Sequence, residues 1–151
     1  MTDQNLVPSL AHSVITDVSQ WIVLIVDDEP DNREIAETVL SFSGVKSYTA
    51  VDGSDGLKRL ETISPTFVLL DLSMPIIDGW EMFKHMRENP KTQHIPVIAL
   101  TAHAMAGDRD RVFQAGFDGY IAKPFRIGSF MNELIQCLNK VAEQGKLQVT
   151  K

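Results

Sequence analysis

The chain has 151 residues, 44% hydrophobic and 23% charged, a make-up that suits one folded globular domain and excludes a disordered or fibrous chain. Its net charge of -6 and pI near 5.1 leave no basic stripe for gripping nucleic acid and little attraction to an anionic membrane surface. Cys137 is the single cysteine, no apolar run nears the roughly 20 residues that span a bilayer, and no basic residue precedes Arg33, so a secretory signal is not read and a cytoplasmic protein is expected.

Residues 1–20 are polar with Leu6, Val7, Leu10, Val14 and Val18 at near-helical spacing, weakened by Pro8. They read as an extension, either a loose tail or a short docked helix. Trp21 to Val26 is a β-rich apolar run and the first predicted strand; it ends in Asp27-Asp28-Glu29-Pro30. Pro30 opens a helix through about Ser43, with Ile35, Val39 and Phe42 on its pattern, and Gly44 stops it. Val45 to Ala50 is a second strand, and Gly53 to Ile63 a helix with Leu57 and Leu60 inward. Pro65 breaks that helix, and Thr66 to Leu70 is a third strand, apolar enough to be buried on both faces.

Asp78-Gly79 starts a helix through about Glu88, in which Met82 and Met86 fill the core while Trp80 and Phe83 are expected partly exposed. Ile95 to Leu100 is the fourth strand, and a helix from about Ala104 to Ala115 closes at Gly116. Asp118 to Ala122 is the fifth strand. The last helix runs from Arg126 to about Val141, with Phe130, Leu134, Cys137, Leu138 and Val141 on one apolar face. Strand and helix alternate strictly, so the expected fold is α/β: a flavodoxin-like, doubly wound parallel sheet of five strands in order 2-1-3-4-5, with helices on both faces. The expected organisation is an extension over 1–20, one domain over 21–141 and a polar tail over 142–151.

In such a sheet, ligands sit beyond the carboxyl ends of the strands at the switch point. Those ends carry polar groups: Asp27 and Asp28 after strand 1, Asp71 after strand 3, Thr101 after strand 4 and Lys123 after strand 5. Each alone has a plainer reading, since Asp and Thr cap helices and a lone Lys is usually solvated. Together, three carboxylates in one crevice repel and call for a divalent, oxygen-seeking cation, for which Mg2+ is suited. Lys123 and a Thr101 hydroxyl beside them would suit a phosphoryl group, with Asp71 as nucleophile.

Val26-Asp27-Asp28, Asp71-Leu72-Ser73-Met74-Pro75-Ile76-Ile77-Asp78-Gly79, Thr101-Ala102 and Lys123-Pro124-Phe125 resemble the receiver domain of response regulators, the CheY-like family, over about Trp21 to Lys140. The resemblance implies that Asp71 is the phospho-acceptor. It implies that Asp28, Asp71 and the Ser73 carbonyl ligate Mg2+ (Mn2+ being an admissible substitute), and that Asp27 acts through metal-bound water. Thr101 and Lys123 would contact the phosphoryl group, Thr101 and Tyr120 would form the switch, and the Lys123–Pro124 bond would be cis. Ser73 and His103 fall at positions that tune phosphoryl lifetime in the family. The phosphoryl donor is expected to be a histidine kinase or a histidine phosphotransfer protein. An unidentified protein target would read the face of helix 4, strand 5 and helix 5, with neither nucleic acid nor membrane engaged directly. Such a protein is a phospho-acceptor switch of a two-component system, without a separate substrate. A phosphorelay intermediate and a receiver piece of a hybrid sensor kinase are variants of this reading. A phosphatase of the haloacid-dehalogenase type is disfavoured because Ser73 stands where a second Asp is needed, and a flavodoxin-like carrier because Asp27-Asp28-Glu29 would repel its phosphate.

Overall fold

The computed structural model describes residues 18–74, 77–102 and 106–145. Expectations for residues 1–17, Pro75, Ile76, His103, the helix start at Ala104, and 146–151 lie outside the described residues. The strands are β1 (Ile22–Val26), β2 (Lys46–Ala50), β3 (Phe67–Asp71), β4 (Val97–Thr101) and β5 (Gly119–Ala122). Between and after them run α1 (Pro30–Phe42), α2 (Gly53–Arg59), α3 (Gly79–Glu88), α4 (Ala106–Gln114) and α5 (Ile127–Glu143). The sheet is parallel throughout, in the order β2-β1-β3-β4-β5.

The period of two along each strand divides the core in two. Val23, Ile25, Phe67, Leu69, Ile98, Leu100 and Ile121 face α1 and α5, where Leu40, Phe130, Leu134 and Leu138 meet them. Leu24, Val26, Val68, Leu70, Val97 and Ala99 face the other way, onto Met82, Phe83, Met86 and Val112 from α3 and α4. Every residue of β3 and β4 is buried, which is why these strands are near-continuous apolar runs. Each fully buried Leu, Ile or Phe contributes about 1.5–3 kcal/mol.

Two local readings are corrected. α2 ends at Arg59 rather than Ile63. The Glu61 and Thr62 amides turn to carbonyls three residues back, those of Lys58 and Arg59, so the chain tightens there before Pro65. Phe83 is buried rather than partly exposed. It stacks on Phe117 with centroids 3.9 Å apart, and the Arg87 guanidinium covers its ring at 4.5 Å.

Gly44 ends α1 at a φ of 79°, a left-handed conformation that costs an L side chain energy. At the amino end of the sheet, Arg87 bridges α3 to the starts of β4 and β5. Its Nη2 meets Asp118 Oδ2 at 3.0 Å and its Nη1 donates to the Ile95 carbonyl at 2.9 Å. The same Asp118 oxygen accepts from the Val97 amide at 2.9 Å.

Candidate functional site

The register brings the carboxyl ends of the central strands level. Val26 pairs with Leu70, so one residue further Asp27 stands beside Asp71; Asp71 pairs with Leu100, and Thr101 with Ala122. Lys123 follows directly and is tied to β4 by its amide, which donates to the Thr101 carbonyl at 2.8 Å. The Lys123–Pro124 bond is cis.

Lys123 Nζ lies 3.0 Å from Asp27 Oδ2, 3.3 Å from Asp71 Oδ2 and 3.5 Å from Glu29 Oε1. Asp27 and Asp71 are buried, and Asp28 is the more open of the three aspartates. Carboxylate oxygens of Asp27, Asp28 and Asp71 fall within 4.8 Å of one another. Asp71 Oδ1 accepts from the Ser73 amide at 3.1 Å, which fixes one oxygen in the turn and leaves Oδ2 facing Lys123.

The electrostatics follow from crowding. Asp71 is pushed up from an ordinary 3.8 to about 7. Burial is the largest cause; the Ser73 amide opposes it, the Asp27 charge raises it further, Lys123 lowers it and the contact with Asp28 raises it. Burial alone would lower the Lys123 pKa, but its bond to Asp27 and the charges of Asp27 and Asp71 outweigh this and raise it. The lysine therefore stays charged, while the Asp71 carboxyl holds its proton well above the ordinary carboxylate range.

A divalent cation fits the donors present. The crowded atoms are hard carboxylate oxygens, and the buried Asp27 Oδ2 meets the Lys123 ammonium at 3.0 Å. Asp27, Asp28 and Asp71 are the residues placed to hold it, with Ser73 at the adjoining turn.

The structure thus brings together Asp27, Asp28, Asp71, Ser73 and Lys123, and sets buried Thr101 on the neighbouring strand. Tyr120 pairs with Ala99, two residues before Thr101, so Tyr120 and Thr101 belong to the same face of the sheet. Tyr120 is half-buried against the α2–α4 cluster. Asp78 is not in the crevice; it caps α3, its Oδ1 accepting from the Glu81 amide at 2.9 Å.

Sequence reasoning missed three contributors. Glu29 adds a carboxylate to Lys123, a role foreshadowed only by its place after Asp28. Arg33 Nη1 donates to the Asp27 carbonyl at 2.7 Å. Gly79 packs so tightly that a Cβ there would lie 2.2 Å from the Asp71 carbonyl oxygen and 2.7 Å from Leu72 Cα. Read as a turn residue, Gly79 is in fact the gap that lets α3 start directly on the backbone of Asp71.

A doubly wound parallel sheet with an acidic crevice and one buried-side lysine at its switch point defines a class of α/β switch domain. The chain belongs to the response regulator receiver domain family, whose sequence model matches residues 23–135. The polar-differentiation response regulator DivK of Brucella anthropi is 32% identical over 112 residues, covering 74% of this chain and 91% of DivK. An uncharacterized 14.6 kDa protein of Leptolyngbya boryana is 36% identical over 107 residues, 71% of this chain and 82% of that protein. Among solved structures, the chemotaxis response regulator CheY4 of Vibrio cholerae matches with a TM-score of 0.72 and 25% identity, over 78% of this chain and 98% of that one. The receiver domain of the sensor histidine kinase PA1611 of Pseudomonas aeruginosa, which has a magnesium ion coordinated in its active-site cleft, matches with a TM-score of 0.68 and 31% identity, over 77% and 94%. The chain is therefore a receiver domain of two-component signalling, a phospho-acceptor switch rather than a classical enzyme. No helix among the described residues is long and apolar enough to cross a membrane.

Proposed function

We propose that residues 21–141 form a receiver unit that takes a phosphoryl group onto Asp71 from the phosphohistidine of a separate histidine kinase or phosphotransfer protein. An Asp71 carboxylate oxygen forms the new bond to phosphorus as the phosphorus–nitrogen bond breaks, and the histidine leaves as imidazole. Lys123 neutralises phosphoryl oxygens and the Thr101 hydroxyl donates to one of them. Asp28, Asp71 and the Ser73 carbonyl would ligate Mg2+, or Mn2+ in its place, with Asp27 acting through metal-bound water. The bound ion would supply charge neutralisation and keep Asp71 ionised despite its raised pKa. Water entering the same crevice reverses the modification.

The observation that carries this reading is the meeting of Asp71 with Lys123 at 3.3 Å, among carboxylate oxygens within 4.8 Å of one another. The signal would pass from Thr101 to Tyr120 on the shared sheet face, and from there to the surface of α4, β5 and α5. A groove on that surface is lined by Arg109, Phe113, Tyr120, Glu133, Cys137 and Lys140, a mixture of apolar groups and charges of both signs suited to a protein partner. A relay role, with the phosphoryl group passed on to a second histidine, uses the same residues.

Incubation with acetyl phosphate and Mg2+ tests the acceptor. The intact mass of wild type should rise by one phosphoryl group, and Asp71→Asn should stay unmodified. Equal modification of Asp71→Asn would refute the assignment.

A further inference from the structure

Asp27 is anchored at every polar group, each time from a different part of the chain. Its amide donates to the Ala50 carbonyl at 3.2 Å, its Oδ1 accepts from the Glu29 amide at 3.0 Å, and its Oδ2 faces Lys123 at 3.0 Å. The fourth anchor is Arg33, whose Nη1 donates to the Asp27 carbonyl at 2.7 Å. Arg33 sits in the opening turns of α1, where the helix dipole disfavours a cation. A short charge-assisted bond to a carbonyl offsets that, so the side chain is held where its charge alone would not put it.

The bonded carbonyl belongs to the planar peptide unit that joins Asp27 to Asp28. Its orientation sets the direction from which the Asp28 side chain leaves the backbone. Asp28 needs such a guide, because its carboxylate oxygen lies within 4.8 Å of those of Asp27 and Asp71, and ionised carboxylates that close repel. We propose that Arg33 is a positioning residue for the cation site: by gripping the Asp27–Asp28 peptide it aims the Asp28 carboxylate at the ion. The proposal rests on the reading that Asp27, Asp28 and Asp71 hold Mg2+.

Charge and position make opposite demands, and that gives the test its sign. As a mere nearby cation Arg33 repels Mg2+, so neutralising it would tighten binding. As a positioning group it supports the ligand, so losing it weakens binding. Mg2+ alone is titrated into the full chain by calorimetry at fixed ionic strength, for wild type, Arg33→Met and Arg33→Lys, with urea unfolding run alongside. Arg33→Met should bind Mg2+ roughly tenfold more weakly, as removal of an outer-shell partner typically does. Arg33→Lys, which keeps a charged donor, should recover most of the loss. If Arg33→Met does not fold, Arg33→Gln takes its place as the neutral variant and should also bind more weakly than wild type. Mg2+ binding in the neutral variant as tight as in wild type, or tighter, overturns the proposal. Failure of wild type itself to bind Mg2+ overturns the cation site and the proposal with it, and is told apart by needing no variant.

Discussion

At the amino end of the sheet Arg87 and Asp118 meet one to one; at the carboxyl end Lys123 meets Asp27, Asp71 and Glu29. In the first pair each group is further satisfied, Asp118 by the Val97 amide and Arg87 by the Ile95 carbonyl. In the second, Asp71 is driven up to about 7 because burial and its neighbours outweigh the lysine. Both sites are built of charges taken out of water on the same sheet. One is balanced and ties three elements together. The other is left short of positive charge, which a structure built for stability alone would not keep. Buried charge at a strand end is therefore read by its balance, and under the proposed function the imbalance marks the place where a cation and a phosphoryl group would enter.

The sharpest way to break the comparison is at the balanced end. Arg87→Leu leaves Asp118 buried without its cation and should destabilise the fold by about 3 kcal/mol in urea unfolding, while Mg2+ affinity stays unchanged. Gly79→Ala comes next. A Cβ 2.2 Å from the Asp71 carbonyl oxygen forces backbone to move, so a loss of roughly 2 kcal/mol is expected. Unlike Arg87→Leu, it should also slow modification by acetyl phosphate, because the displaced backbone is that of Asp71, the acceptor under the proposed function.

At the unbalanced end the sign reverses. Asp71→Asn removes a carboxylate from a crowd, and in the absence of Mg2+ should stabilise the protein at pH 8 by roughly 1–2 kcal/mol. The pH dependence has the same origin. The folded pKa of about 7 lies above the ordinary 3.8, so the folded chain holds a proton that the unfolded chain has released. Wild-type stability should fall as pH rises from about 4 to about 7 and then level off, and Asp71→Asn should lack that slope in urea titrations. Asp78→Ala, far from either charge cluster in effect, should cost about 1 kcal/mol through loss of the α3 cap and leave Mg2+ binding as it was.

Much of this was legible in the chain because burial on both faces writes β1, β3 and β4 as apolar runs, and the abrupt carboxylates at Asp27 and Asp71 mark their ends. The spacing of Phe130, Leu134, Leu138 and Val141 likewise gave α5 its face. What was not legible depends on contacts made from far along the chain. Phe83 is covered by Phe117, and no local pattern around α3 announces that. α2 shows Leu57 and Leu60 in its pattern, but its closest packing is through Gly53 and Gly56, whose missing side chains admit Ile77 and Met82 and leave no trace in an apolar periodicity. In the crevice, the ligand-type residues could be picked out by identity. The supports of Arg33, Glu29 and Gly79 could not, because their contribution is a hydrogen bond to a backbone carbonyl, an added charge and an absence of atoms.

The charge shortage at the carboxyl end is measured most directly by following the Asp71 side-chain carboxyl by carbon NMR through a pH titration, without and with saturating Mg2+. Without the ion, titration near neutrality is expected; with it, the midpoint should drop well below the ordinary carboxylate value of 3.8. A midpoint that Mg2+ does not move would contradict a cation held between Asp28 and Asp71.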